Sequence, residues 1–194
     1  MERTRRCSLL AFLVVLVSQL PAQAGDGCFD LREWGVRAGG GIDQSSGVQY
    51  YGVHPYVGLA LWGPIDNWLA AHHVHGLWII EPWVAFVADH TGIDQTESFE
   101  IGVSPLFFRF AFGDWRLRPF LEFGEGVVYT DLRQHDYASR GQFTSELGGG
   151  LEFDLGSGRA FTLATRYRHM SNAGLALPNA GSNTLYGLVG LSFR

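Results

Sequence analysis

His169 and Ser171 are the residues of this chain whose types and spacing best suit covalent chemistry. An imidazole can take a proton, and a hydroxyl that loses one can attack an acyl carbon. Two positions apart on a β-strand, their side chains share one face, which is the minimum geometry for a base and a nucleophile. Read backwards at the same period, Tyr167, Leu163 and Phe161 lie on that face, while Arg166 and Arg168 point the other way. The pair therefore ends an apolar stripe. In a soluble protein such a stripe faces a core and the pair would be hard to reach. In a membrane barrel it faces lipid, and a lipid substrate meets the pair directly.

The elements that must position the pair are strands. Apolar and polar residues alternate, with frequent aromatics and glycines, over 33–42, 50–62, 74–87, 98–112, 116–130, 141–154, 159–171 and 182–193. In the fifth segment Leu117, Leu121, Phe123, Val127 and Tyr129 share a face opposite Arg116, Arg118, Glu122, Gly124 and Gly126. The eighth repeats the pattern, with Leu185, Val189, Leu191 and Phe193 opposite Thr184, Tyr186, Gly190 and Ser192. An apolar outside around a polar inside predicts an all-β fold: an eight-stranded antiparallel transmembrane β-barrel of the outer-membrane type. Closure also satisfies the backbone groups that lipid cannot. The connections agree, because short turns at 113–115 and 155–158 alternate with longer loops at 43–49, 88–97, 131–140 and 172–181. The one exception is the stretch from Gly63 to His73, which should be a short periplasmic turn and is long; no helix of convincing period is read there or elsewhere. With both termini periplasmic, the seventh strand ends at the outer rim, where the eighth begins. Asn183 has the outward parity of Leu185 and Val189, so it reaches the same face and height as His169 and Ser171.

Composition bounds the rest. The chain has 194 residues, 46% hydrophobic and 14% aromatic, with 26 glycines, enough for one domain of moderate size. Residues 1–24 read as a cleaved secretory signal: Arg3, Arg5 and Arg6, an apolar run from Leu9 to Val17, and Ala22-Gln23-Ala24 as the cleavage site. The mature chain is then a single barrel over residues 25–194. Removing three Arg and one Glu from totals of 14 and 19 leaves 11 basic and 18 acidic residues, net −7, so no nucleic-acid partner is expected. Cys28 alone remains in the mature chain, which excludes an intramolecular disulfide. No further apolar run reaches the length of a spanning helix, so strands must do the spanning.

Other polar clusters have simpler readings. His73 and His75 share a strand face beside His72, but no third ligand follows at a metal-site spacing, which favours a turn or interface; no metal and no cofactor are expected. Glu122, Glu125, Glu146 and Glu152 are assigned to filling a narrow barrel, and Asp43, Asp89, Asp94 and Asp136 to solvated loops. Several of the six tryptophans fall near segment ends, as an aromatic girdle requires.

His169-x-Ser171-Asn172-Ala173-Gly174, followed by Pro178-Asn179 and Gly181, resembles the signature of the outer-membrane lipid A 3-O-deacylases, the PagL family. The motif spans a short stretch, and the leader and strand pattern extend the likeness along the chain. The resemblance implies an integral outer-membrane esterase whose Ser171 is the nucleophile and His169 its base, with lipid A in the outer leaflet of lipopolysaccharide as substrate. Fourteen positions after the histidine the family places an acid; here Asn183 stands there, a departure from the Ser-His-Glu arrangement. Asn172, Asn179 or a backbone amide near Gly174 would supply oxyanion donors, and Arg140 a loop contact to substrate phosphate. A non-catalytic barrel with a structural or adhesive role is the alternative, and pairing of two barrels into a homodimer stays open.

Overall fold

The computed structural model describes residues 30–88, 97–132, 139–179 and 181–194. The expected leader over 1–24, Cys28, and the loop acids Asp89, Asp94 and Asp136 lie outside them. Eight strands form a closed barrel in sequence order: β1 (Leu31–Asp43), β2 (Gln49–Leu59), β3 (Val74–Ala88), β4 (Glu97–Phe112), β5 (Leu117–Thr130), β6 (Gly141–Gly156), β7 (Arg159–Ser171) and β8 (Ser182–Phe193). Every neighbour is antiparallel, and β8 closes on β1 with Trp34 opposite Phe193 and Asp43 opposite Thr184. The expected segments match within two residues, except that β2 stops three residues early because a helix takes over the connection.

That helix, α1 (Gly63–Ala71), corrects the reading of the 63–73 stretch as helix-free. Pro64 sits in its first turn, where a missing N–H costs nothing. With only nine residues it is too short to show a helical period in sequence. Leu61 and Leu69 seat it against β3 over Gly76, where an added Cβ would come within 2.7 Å of both side chains. Ile65 and Trp68 are exposed along it, with Trp62 just before it. With Trp115 in the β4–β5 turn, these form an aromatic rim at the end of the barrel that carries the short turns. Trp83 does not join a girdle; its side chain is buried inside the barrel.

The outer wall is apolar and the lumen is charged. Along all 14 residues of β5, exposed and buried positions alternate strictly. Phe, Leu, Val and Tyr side chains make up most of the outer face, whereas Arg37, Arg109, Arg166, Glu81 and Glu122 are almost wholly buried inside. Arg37 pairs with Glu122 at 2.8 Å and Glu81 at 3.1 Å, and Arg166 pairs with Glu122 at 2.8 Å and Glu146 at 2.9 Å. Tyr56, Phe107 and Phe120 place their rings against these guanidiniums. Buried charges persist only when paired in this way. The lumen is therefore a packed core and not a pore. One acid departs from the barrel-filling role expected of it: Glu125 has outward parity and lies exposed on the lipid-facing wall. No helix among the described residues is long and apolar enough to cross a membrane, and the crossing is made by strands.

Candidate active site

The last turn of the β-ladder between β7 and β8 brings the candidate residues together. His169 pairs directly with Asn183 across these strands. Its Nδ1 donates to Asn183 Oδ1 at 2.8 Å, and the Tyr167 hydroxyl donates to the same oxygen at 2.7 Å. An amide oxygen can only accept, so this bond places the imidazole proton on Nδ1. Nε2 is left as the basic nitrogen. Ser171, the last residue of β7, shares the outward face of His169 and is half-buried, as His169 is. No hydrogen bond joins Ser171 to His169 among the described residues; such contacts commonly tighten only when substrate arrives.

The space beside Nε2 depends on Gly181. At φ +74° this residue occupies the left-handed region, and a Cβ added to it would lie 3.1 Å from His169 Cε1 and 3.7 Å from Nε2. A side chain there would press on the edge of the imidazole that carries Cε1 and Nε2.

The loop after Ser171 is held by its own asparagines. Asn172 is buried; its backbone N–H donates to Asn179 Oδ1 at 2.9 Å, its Nδ2 to the Ala176 carbonyl at 2.8 Å, and its Oδ1 accepts the Gly174 N–H at 2.9 Å. Of the three expected oxyanion donors, the Asn172 amide and the Gly174 N–H are thus engaged within the loop. The Nδ2 of Asn179 makes no hydrogen bond among the described residues. Beyond them Leu175 and Leu177 project outward, 79% and 84% exposed.

Asp43 is a neighbour of these residues that the sequence did not reveal. Expected as a solvated loop acid, it is instead buried, and its Oδ2 accepts the Asn183 N–H at 2.9 Å and the Ser182 hydroxyl. Its Oδ1 accepts the N–H groups of Ser45 at 2.9 Å and Ser46 at 2.7 Å, and Gln44 N–H donates to the Asn183 carbonyl at 2.8 Å. The β1–β2 turn therefore clamps the backbone of Asn183 from both sides. Only barrel closure brings residues 140 positions apart into this contact.

Arg166 and Arg168 point into the lumen as their parity predicts, Arg168 facing Glu100 at 2.9 Å. Arg140 stands at the loop-bearing rim, donating to the Tyr129 hydroxyl at 2.6 Å and 3.5 Å from Asp131. His73 and His75 lie at the opposite end of the barrel, where both bond Asp114, His75 Nε2 at 3.0 Å. His72 Nδ1 donates to the Trp68 carbonyl at 2.7 Å. Among the described residues no group of three acidic, histidine or cysteine side chains is placed to hold a metal.

The sequence matches the model of the family described as lipid A 3-O-deacylase (PagL) over residues 49–192. No curated protein matches it in sequence. The fold is similar to the crystal structure of the outer membrane enzyme PagL, with a TM-score of 0.62 and 19% identity over 82% of this chain and 98% of that one. It is also similar to Neisserial surface protein A, with a TM-score of 0.50 and 8% identity over 84% and 94% of the two chains. At such identities these likenesses bear on the fold alone.

Proposed function

Since the chain belongs to the lipid A 3-O-deacylase (PagL) family and is an integral outer-membrane protein, we propose that it is an esterase that removes the 3-O-linked hydroxyacyl chain of lipid A, with Ser171, His169 and Asn183 as its catalytic unit. The mature enzyme is the single barrel that follows a cleaved leader over residues 1–24. The observation that carries the reading is the bond from His169 Nδ1 to Asn183 Oδ1 on the lipid-facing wall, two strand positions from a serine with the same outlook. A histidine held in this tautomer by a neighbour is the arrangement that a serine nucleophile requires.

The reaction follows from the proton positions. Ser171 Oγ forms a bond to the ester carbonyl carbon as its proton passes to His169 Nε2, and the carbonyl oxygen takes the negative charge. When the carbon–oxygen bond to the sugar breaks, His169 returns that proton to the departing 3-oxygen. Water then gives a proton to Nε2, attacks the acyl-serine and releases a 3-hydroxy fatty acid, and Ser171 recovers its proton. For the oxyanion, Asn179 is the best-placed of the three expected donors. Its Oδ1 is committed to the Asn172 amide, so the planar side chain turns Nδ2 the other way. Removing one such donor typically costs about a hundredfold or more in rate.

Lipid A from Gram-negative cells expressing the protein provides the test. Mass spectrometry should show the loss of one 3-hydroxyacyl chain, and no loss with Ser171→Ala or His169→Ala. Nucleophile and base act as a unit, so the double variant should be no worse than either single one. Unchanged lipid A with the folded wild-type barrel in the membrane would favour the non-catalytic alternative.

A further inference from the structure

Register places four polar residues side by side across the outer wall. Glu125 on β5 pairs with Ser145 on β6, Ser145 with His169 on β7, and His169 with Asn183 on β8. Directly paired side chains on one face have Cβ atoms about 4.5–5.5 Å apart. One half of this row, His169 with Asn183, belongs to the catalytic unit proposed above. The other half is bonded too: the Ser145 hydroxyl donates to Glu125 Oε2 at 2.7 Å.

The surroundings make this carboxylate hard to explain by packing. Phe123 and Val127 flank Glu125 on its own strand, Leu106 faces it on β4, and Phe143 and Leu147 flank Ser145, all exposed to lipid. A carboxylate on the lipid-facing wall carries a cost, and an ionisable residue in such a place points to function. The lumen acids Glu33, Glu81, Glu100, Glu122, Glu146 and Glu152 each meet an arginine. Among the described residues, Glu125 has Ser145 as its one partner.

We propose that Glu125 and Ser145 are positioning residues of the deacylase site, which supply from the β6 side of His169 the negative charge that Asn183 does not. The inference rests on the catalytic reading above. Attack turns His169 into an imidazolium, which a neutral amide orients but does not balance electrostatically. A hydroxyl that donates to a carboxylate carries a more negative oxygen, and Ser145 is the residue paired with His169 across β6 and β7. The carboxylate itself stands two strands from His169, roughly 10 Å between backbones, close enough in a partly desolvated wall to favour the charged ring on the order of tenfold. Other ionisable groups around His169 do not take this role. Tyr167 donates to Asn183; Arg168 and Glu146 point into the lumen; Asp43 bonds the backbone of Asn183 and Ser182 behind the wall.

The experiment compares purified enzymes in mixed micelles with lipid A, each checked for folding by its heat-dependent gel shift, with kcat and KM measured against pH. Glu125→Gln should lower kcat about tenfold with KM within roughly twofold. Loss of the charge disfavours the imidazolium, so the acid limb of kcat/KM should move to lower pH by roughly half a unit or more. Ser145→Ala should act in the same direction and less strongly. Asn183→Glu, which restores a charge on the other side, should recover most of the activity lost in Glu125→Gln. An active wild type whose kcat and acid limb are unmoved by Glu125→Gln, or whose KM alone rises, overturns this inference and leaves the deacylase reading standing. A wild type that releases no 3-hydroxy fatty acid, or a Ser171→Ala enzyme that does, overturns both.

Discussion

In the catalytic unit proposed above, Asn183 stands where an acid is expected, and its surroundings suit an amide in that role. Two donors, His169 Nδ1 and the Tyr167 hydroxyl, meet one oxygen, and the backbone behind it is fixed by Asp43 and Gln44. In a buried serine-protease triad, exchanging the acid for its amide costs about 10⁴-fold because the wrong tautomer results. Here the amide oxygen receives the Nδ1 proton, so the tautomer is right and only the charge is missing. Asn183→Ala should therefore slow deacylation by one to two orders of magnitude without abolishing it, on the scale of other orienting contacts, and Asn183→Glu should equal or exceed the wild type. An Asn183→Ala enzyme as fast as wild type in the same assay would reduce the site to a Ser-His dyad. These three outward residues could be read from a period of two and the strand direction. Asp43 and Tyr167 could not: Asp43 meets Asn183 only because β1 closes on β8, and nothing in the spacing of Tyr167 separates it from the lipid-facing stripe in which it lies.

Two connections decide how the site and the opposite rim are held. In the β7–β8 loop, Gly181→Ala places a methyl group against His169 Cε1 at a backbone angle that favours glycine. The variant should fold as a barrel, because the strands on either side are untouched, yet lose at least tenfold in kcat, a loss of the kind small misplacements of catalytic groups produce; full activity would show that the imidazole has room to move. At the other rim, the hydrogen bonds from His73 and His75 hold the exposed Asp114 carboxyl below its usual value. A carboxyl with a depressed folded value contributes above its unfolded value and loses that contribution as pH falls through the folded one. The clasp between the β4–β5 turn and the residues after α1 should therefore loosen below about pH 4, seen as faster amide exchange at Gly113, whose N–H donates to the His73 carbonyl at 2.7 Å. In Asp114→Asn this acid-dependent step should be absent. The strands were legible because their alternation is long and regular. The helix was not, since nine residues hold too few turns for a period and Gly63-Pro64 reads equally well as a turn.

At the scale of the whole molecule, an apolar wall encloses a lumen crossed by ion pairs. Alternation disclosed both faces but not the pairing, because partners such as Arg37 and Glu122 stand 85 residues apart and meet only across the closed barrel. Glu125 was expected in the lumen with the other acids from its chemical type, but its place in the alternation of β5 puts it on the outer face. Arg166 touches Glu81, Glu122 and Glu146, so Arg166→Met leaves three carboxylates short of a cation. Breaking a buried pair from one side costs about 3–5 kcal/mol, and urea unfolding in micelles should show a loss of at least that size. With the lumen filled, planar bilayers containing the protein should show no conductance steps. Unheated samples should migrate apart from boiled ones on a gel, as a closed barrel that resists detergent does.

The central claim is that an outward-facing serine, activated by the histidine two positions before it, cleaves an ester of lipid A. Purified wild type and Ser171→Ala, both shown folded by the gel shift, are incubated with lipid A, and free 3-hydroxy fatty acid is quantified. The account predicts that the wild type releases one equivalent of the 3-O-linked acid per lipid A over many turnovers, and that Ser171→Ala releases none above background. Release by Ser171→Ala at the wild-type rate, or no release by either, would contradict it.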